Sequence, residues 1–228
     1  MAPISKRILS STLVWKLSGL TYRWSVAATR GKYLSPKEYL TQSRTQMMKV
    51  IASVPSSFIR PLEFGCGLGG NLIAIASEIE RGFGIDINRG YLRHARRLAR
   101  SASASNLEFR WYDGGSFPQL DGIDFAFSLG VFERISKKDV EFYIRQIRDA
   151  VVPHAWVSLY FLSGDAIQSG FTRRLGEESY VYWNPEELKS MFDRAGFCLV
   201  SISDWKGLDG CSTVAYLCTA KVANISVS

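Results

Sequence analysis

The chain has 228 residues, 21% of them charged, and a mean hydropathy of −0.01, a composition that fits a globular protein with one large α/β domain and appendages. The net charge of +7 is unevenly placed: residues 1–37 hold seven basic residues and no acid, while the rest balances 21 basic against 21 acidic residues. A neutral body argues against a broadly basic nucleic-acid face and against DNA as a partner.

No uninterrupted apolar run reaches the roughly 18 residues of a membrane span. The four cysteines (Cys66, Cys198, Cys211, Cys218) form no C-x-x-C pair and read as buried thiols in a reducing compartment. With two histidines and no clustered ligands, no metal is expected.

Residues 1–32 form a basic segment in which Ile8, Leu9, Leu13, Leu17 and Leu20 recur near helical spacing, accompanied by Trp15 and Trp24. Three readings stand for it: a cap helix packed on the core, an amphipathic helix on a membrane surface, or an organelle presequence. A helix is predicted over 35–54, with Ser35 as cap, Pro36 in the first turn and Glu38 completing a capping box. From Arg60 onward, strand and helix signals alternate. "PLEFG" (61–65) is a short apolar strand, "NLIAIASEI" (71–79) a buried helix, and "GFGIDIN" (82–88) a second strand. Residues 89–100 predict an amphipathic helix with Tyr91, Leu92, Ala95, Leu98 and Ala99 on its apolar stripe. Its arginines (Arg89, Arg93, Arg96, Arg97, Arg100) read as a solvated face, with an RNA or acidic-membrane contact as the alternative.

"LEFRWYD" (107–113) and "GIDFAFSLG" (122–130) are the third and fourth strands, and a helix over 137–151 carries Val140, Ile144, Ile147 and Val151 on one face. "WVSLYFL" (156–162) is a fifth strand. Asn184-Pro185 opens a helix that ends at Gly196. "FCLVSIS" (197–203) and "TVAYLCTA" (213–220) follow with no helix between them. This alternation predicts a parallel sheet with helices on both faces, and a last strand that runs antiparallel for want of a crossover.

At the carboxyl end of the first strand, Gly65, Gly67 and Gly70 fit the dinucleotide pattern G-x-G-x-x-G, although a tight turn alone looks the same. Asp86 ends the second strand, where a carboxylate accepts from both ribose hydroxyls or caps the next helix. Glu63 precedes the first glycine by two residues. A carboxylate there repels a pyrophosphate and suits a ligand with an ammonium and a sulfonium, both present in S-adenosylmethionine. Asp113 ends the third strand. It can accept from an adenine amino group or simply close the Asp113-Gly114 turn.

With these residues in order, about residues 33–221 resemble the class I S-adenosylmethionine-dependent methyltransferases. "LEFGCGLGG" is similar to their E/D-x-G-x-G-x-G loop, with Glu63, Gly65, Gly67 and Gly69 in register; "GIDIN" and "WYDG" resemble their second- and third-strand acids; "DFAFSLGVFERI" resembles the fourth strand and cofactor-facing turn; "NPEELKSMFDRAGF" resembles their late helix. The resemblance implies a Rossmann-like, doubly wound, seven-stranded α/β sheet whose last strand is antiparallel. It implies a single methyltransferase domain over 33–228, with residues 1–32 as an N-terminal helical extension. The implied cofactor is S-adenosylmethionine, and the implied cofactor-binding residues are Glu63, Gly65, Cys66, Gly67, Gly69, Asn71, Asp86, Ile87, Asp113, Gly114, Ser128, Leu129 and Gly130. Arg134 stands where the family often has His, so a proton-shuttling role is not carried over. His154 falls on the loop before strand five, where Pro-Gly-Gly is usual, and reads as a surface residue; His94 is judged likewise.

The segment "SLGVFERI" is not the N-P-P-Y motif of enzymes that methylate nucleic-acid amino groups, which disfavours such a target. The acceptor pocket is expected from the N-terminal helices and from residues 129–136, 163–183 and 204–212. Tyr180, Tyr182 and Trp183 either line it or cover the sheet edge. Glu133 is the best-placed base, with hydrogen bonding to the loop as its rival role; Arg134, Tyr180 and Tyr182 are the other catalytic candidates. Arg173-Arg174 hold an anionic substrate or stay solvated. The expected function is methylation, at oxygen, of a small-molecule, lipid-linked or glycan acceptor by a cytoplasmic enzyme, with membrane-surface contact through residues 1–32 as an option. The alternatives are an RNA or protein methyltransferase, a non-catalytic S-adenosylmethionine-binding module, and an NAD oxidoreductase.

Overall fold

The computed structural model describes residues 20–22, 34–164, 180–205 and 215–223; the expectations for the rest of the N-terminal segment, for Arg173-Arg174 and for Cys211 lie outside the described residues. The elements are α1 (Pro36–Ser53), β1 (Pro61–Phe64), α2 (Gly70–Ile75), β2 (Gly82–Asp86), α3 (Arg89–Ser101), β3 (Leu107–Trp111), β4 (Ile123–Ser128), α4 (Lys137–Ala150), β5 (Val151–Ser163), β6 (Tyr182–Trp183), α5 (Pro185–Arg194), β7 (Phe197–Asp204) and β8 (Ala215–Val222). Short 3-10 turns cover Ala76–Glu78 and Phe132–Arg134. The fold is a mixed α/β sheet of mostly parallel strands with an antiparallel last strand, flanked by helices, which is the Rossmann-like architecture expected. Among the described residues no helix is long and apolar enough to cross a membrane.

The chain divides into two compact units, Met1–Met48 with Gly65–Pro118 and Lys49–Phe64 with Gln119–Ser228. In the first, β2 and β3 pair in parallel from Gly82 opposite Leu107 to Asp86 opposite Trp111. The Ser35 hydroxyl and backbone N–H both donate to Glu38, and the Glu38 N–H donates back to the Ser35 hydroxyl, which starts α1 with the predicted capping box. α1 buries Tyr39, Ser43 and Met47, a stripe at i, i+4 and i+8. α3 starts where the Asn88 side chain accepts from the Gly90 and Tyr91 amides, and it buries the predicted stripe.

In the second unit the strand order is β1-β4-β5-β8-β7, with β6 beside β5. β1, β4 and β5 are mutually parallel, and β8 lies antiparallel to both β5 and β7. The core is a phenylalanine cluster. Phe161 stacks on Phe132 at 5.6 Å and meets Trp183 and Phe192 edge-on at 5.6 and 6.1 Å. α5 opens with a capping box between Asn184 and Glu187, behind Pro185.

Three boundaries differ from the sequence reading. β5 begins at Val151, because Ile123 pairs with Val151 while Phe125 pairs with Trp156; the extra residues bulge out. Pro153, which has no ladder donor to lose, sits in that bulge, and His154 is an exposed strand residue rather than a loop residue. α2 stops at Ile75 and tightens into a 3-10 turn. β6, at two residues, is too short for any periodicity to register.

Replacing Phe161 by Ala should cost about 3–5 kcal/mol, since the ring is fully buried and leaves a cavity. A urea titration showing a loss well below that range would mean that the ring cluster repacks.

Candidate functional site

The first unit builds its site on the turn after β1. The Gly65 and Cys66 amides both donate to the Ile85 carbonyl, at 2.8 and 3.0 Å, and the Gly69 amide donates to the Cys66 carbonyl at 2.8 Å. Gly65, Gly67 and Gly69 have φ of 72°, 51° and 71°, in the left-handed region. Gly70 does not share that conformation; it is the first residue of α2. The three special glycines therefore follow the spacing G-x-G-x-G and not G-x-G-x-x-G. Gly69 is doubly constrained, since a Cβ there would also lie 2.5 Å from the Phe109 ring.

Asp86 closes this turn. Its Oδ2 accepts from the Gly67 amide at 2.8 Å and its Oδ1 from the Asn88 amide at 2.7 Å. Burial pushes its pKa up to about 6, while the amides of Asn88 and Gly67 pull it down. A carboxylate has about four lone-pair directions, so two remain for a pair of hydroxyls after these bonds. Ile87 follows, an aliphatic side chain left 42% exposed. Asn71 is buried in the first turn of α2, and the Cys66 thiol is buried as well.

Asp113 is exposed. Its Oδ1 accepts from the Gly115 and Ser116 amides at 2.8 and 3.2 Å, which lowers its pKa and closes the turn around Gly114. The turn role is thus present, and only Oδ2 is left for the adenine role.

Two contributions went unread in the sequence. Tyr39 and Ser43 of α1 pack against Gly70, where a Cβ would overlap both; the i, i+4 stripe was the available signal. Trp111, 44% exposed, donates its indole N–H to the Ile87 carbonyl at 3.1 Å and carries the Arg89 guanidinium 4.0 Å above its ring.

The second unit holds the remaining expected residues. Glu63 is 2% exposed within β1, in register with Phe127 of β4. The Ser128 hydroxyl, also buried, donates to the Phe64 carbonyl at 2.9 Å. Leu129 follows, and Gly130 turns the chain with φ 78°.

Glu133 lies in the 3-10 turn just beyond and is 8% exposed. Its Oε2 has no hydrogen-bond partner among the described residues. Burial pushes its pKa up to about 7, against the pull of its own amide and of the Arg134 charge. The Val181 amide donates to the Glu133 carbonyl at 2.8 Å. Arg134 donates to the Tyr180 hydroxyl at 3.1 Å and stacks 5.0 Å from that ring. Tyr182 is half-buried in β6, whereas Trp183 is buried against Phe161 and so belongs to the core.

Residues 62–154 match a family described as "Methyltransferase domain". This segment thus matches a methyltransferase domain, and the chain shares its fold with S-adenosylmethionine-dependent methyltransferases. Magnesium protoporphyrin IX methyltransferase from Synechocystis PCC 6803, solved with bound S-adenosylmethionine, is 12% identical with a TM-score of 0.70, over 98% of this chain and 100% of that one. An S-adenosylmethionine-dependent methyltransferase from Clostridium acetobutylicum is 12% identical with a TM-score of 0.64, over 81% and 92%. The glycopeptide N-methyltransferase MtfA is 10% identical with a TM-score of 0.63, over 78% and 86%. At these identities the likeness is one of fold. No curated protein matches the chain in sequence. S-adenosylmethionine is the bound ligand of the Synechocystis neighbour. The left-handed glycine turn and the amide-anchored Asp86 fit its adenosyl half.

Replacing Asp86 by Ala removes the acceptor of both amides and should abolish heat on titration with S-adenosylmethionine while the far-ultraviolet circular dichroism is kept. Unchanged affinity would remove Asp86 from the site.

Proposed function

We propose that this methyltransferase domain methylates a hydroxyl on a small-molecule, lipid-linked or glycan acceptor, with Glu133 as the base. The observation that carries the proposal is the state of Glu133: a buried carboxylate with one oxygen lacking a hydrogen-bond partner among the described residues and a pKa of about 7. When bound, S-adenosylmethionine supplies a methyl group already activated on a sulfonium. An amine acceptor that arrives deprotonated needs only alignment, but an alcohol must lose a proton, and a base with pKa near the working pH does that best. Burial supplies that tuning to Glu133.

The backbone of Glu133 is tied to Val181, and Arg134 beside it holds Tyr180. These bonds fix the segment that leads into β6 against the turn bearing the base. Tyr180 and Tyr182, half-buried, offer aromatic surface of the kind that contacts an apolar or sugar-bearing acceptor. On the donor side, Asp86 takes the ribose hydroxyls, Ile87 makes an apolar contact and Oδ2 of Asp113 takes the adenine amino group. Gly65, Gly67 and Gly69 give the close backbone approach.

The Glu133→Gln variant should lose about 10²–10⁴-fold in turnover with a hydroxyl acceptor, while its affinity for S-adenosylmethionine stays within about twofold. In the parent enzyme, activity should rise as Glu133 ionises with increasing pH through about 7; the variant should lack that limb. Retention of full activity by the variant would transfer the role to another group or leave only alignment.

The same carboxylate affects stability. Its folded pKa lies above the unfolded value of 4.5, so its contribution is fully present below that pH and is lost as pH rises through about 7. Thermal unfolding should therefore show Glu133→Gln gaining on the parent as pH rises from 4.5 through about 7, with no gain below that window and a constant one above it. Parallel curves would mean that Glu133 is not strained by ionisation.

A further inference from the structure

Three tyrosines of the second unit gather beside Glu133 without entering the core. β5 and β6 pair in parallel, with Leu162 opposite Tyr182 and Ser163 opposite Trp183. Alternation puts Phe161 and Trp183 on one face, where they meet, and Tyr160, Leu162 and Tyr182 on the other. Tyr180, two residues before Tyr182, comes level with Tyr160 as the register continues. Tyr160, Tyr180 and Tyr182 are all half-buried.

Glu133 is tied to the same place twice. Its carbonyl accepts from Val181, which lies between Tyr180 and Tyr182, and its neighbour Phe132 stacks on Phe161, the residue after Tyr160. Trp205 holds the Tyr160 ring edge-on at 6.1 Å. Its own amide donates to the Ala215 carbonyl at 2.9 Å, and the Lys49 ammonium sits 5.4 Å from its indole. Arg134 occupies the Tyr180 hydroxyl, whereas the Tyr160 hydroxyl has no hydrogen-bond partner among the described residues. Burial, then the charges of Glu133 and Tyr180, push the Tyr160 phenol above the ordinary tyrosine range, so it keeps its proton and donates.

We propose, on the reading of Glu133 as the base, that the acceptor is a phenol, its ring laid against these tyrosines and its hydroxyl held between the Tyr160 hydroxyl and Glu133. Beside the rings, the polar groups left over among the described residues are Glu133 Oε2 and the Tyr160 and Tyr182 hydroxyls. They are too few for a sugar, whose every hydroxyl needs a partner when desolvated, and a flexible alkyl chain has no use for the rings. Acid strength points the same way. A phenol, with pKa about 10, yields its proton to Glu133, at about 7, far more readily than an alkyl alcohol, which lies near water at about 16. In the transfer the acceptor O–H bond breaks toward Glu133 Oε2, the oxygen bonds the methyl carbon, and the carbon–sulfur electron pair stays on sulfur. Tyr160 keeps its own proton and steadies the charge that develops on the oxygen.

Radiolabelled S-adenosylmethionine is offered to the full chain with 4-ethylphenol, 4-ethylcyclohexanol or methyl glucoside. Turnover of the phenol should exceed that of the other two by about 10²-fold or more. Calorimetry with the demethylated product present should show 4-ethylphenol binding about fivefold tighter than 4-ethylcyclohexanol. Tyr160→Phe keeps the ring and removes the donor, so kcat for 4-ethylphenol should fall about 10²-fold. KM and thermal unfolding should stay unchanged in that variant, and the rise in activity through pH about 7 should be retained. Equal or faster transfer to the cyclohexanol or the glucoside, with that rise intact, would overturn the phenol and leave Glu133 as base. Phenol turnover without the rise, and undiminished in Glu133→Gln, would overturn the base and this inference with it. No transfer to 4-ethylphenol, or an unchanged kcat in Tyr160→Phe, would also overturn it.

Discussion

One carboxylate, held by two backbone amides, organises the turn at the strand ends of the first unit. Asp86 receives the Gly67 amide on one oxygen and the Asn88 amide on the other. The first bond fixes a glycine turn that no residue with a Cβ adopts readily; the second places Asn88, which caps α3. The turn, the strand end and the helix start are consequences of the same interaction. Burial raises the pKa of this carboxylate to about 6 against the pull of the same two amides, and two of its lone-pair directions stay unused by them. A polar group left in that state is costly in an empty protein and useful in a loaded one.

Glu133 repeats this logic in the second unit. It sits next to a phenylalanine cluster that gives the turn its rigidity, since Phe132 is stacked between Phe64 and Phe161. Rigid apolar packing beneath a buried carboxylate keeps water away and holds the carboxylate in one place. Both units therefore spend packing stability on a carboxylate whose ionisation burial opposes.

Much of this was legible in the sequence because short-range chemistry carried it. The capping box of Ser35 and Glu38, the Asn184-Pro185 helix start, the apolar stripe of α3 and the unaccompanied final hairpin all depend on residues close in the chain. Between the two glycine patterns, the sequence left a choice that backbone φ resolves: Gly69 and not Gly70 is left-handed. The illegible parts depend on long-range contact. Nothing local announces that Tyr39 and Ser43 meet Gly70, that Trp111 is bound to Ile87 and capped by Arg89, or that Ile123 pairs so far back as to draw His154 into β5. Nor does periodicity show which role of Asp113 prevails at each oxygen, or that Trp183 is core while Tyr180 is held by Arg134.

The central claim is that the left-handed glycine turn and Asp86 take the adenosyl half of S-adenosylmethionine and not a dinucleotide. The most direct measurement is calorimetric titration of the purified protein with S-adenosylmethionine, its demethylated product and NAD, each separately. The account predicts saturable binding of the first two and none of NAD. Binding of NAD, with no response to S-adenosylmethionine, would contradict it and reassign the glycine turn to a dinucleotide.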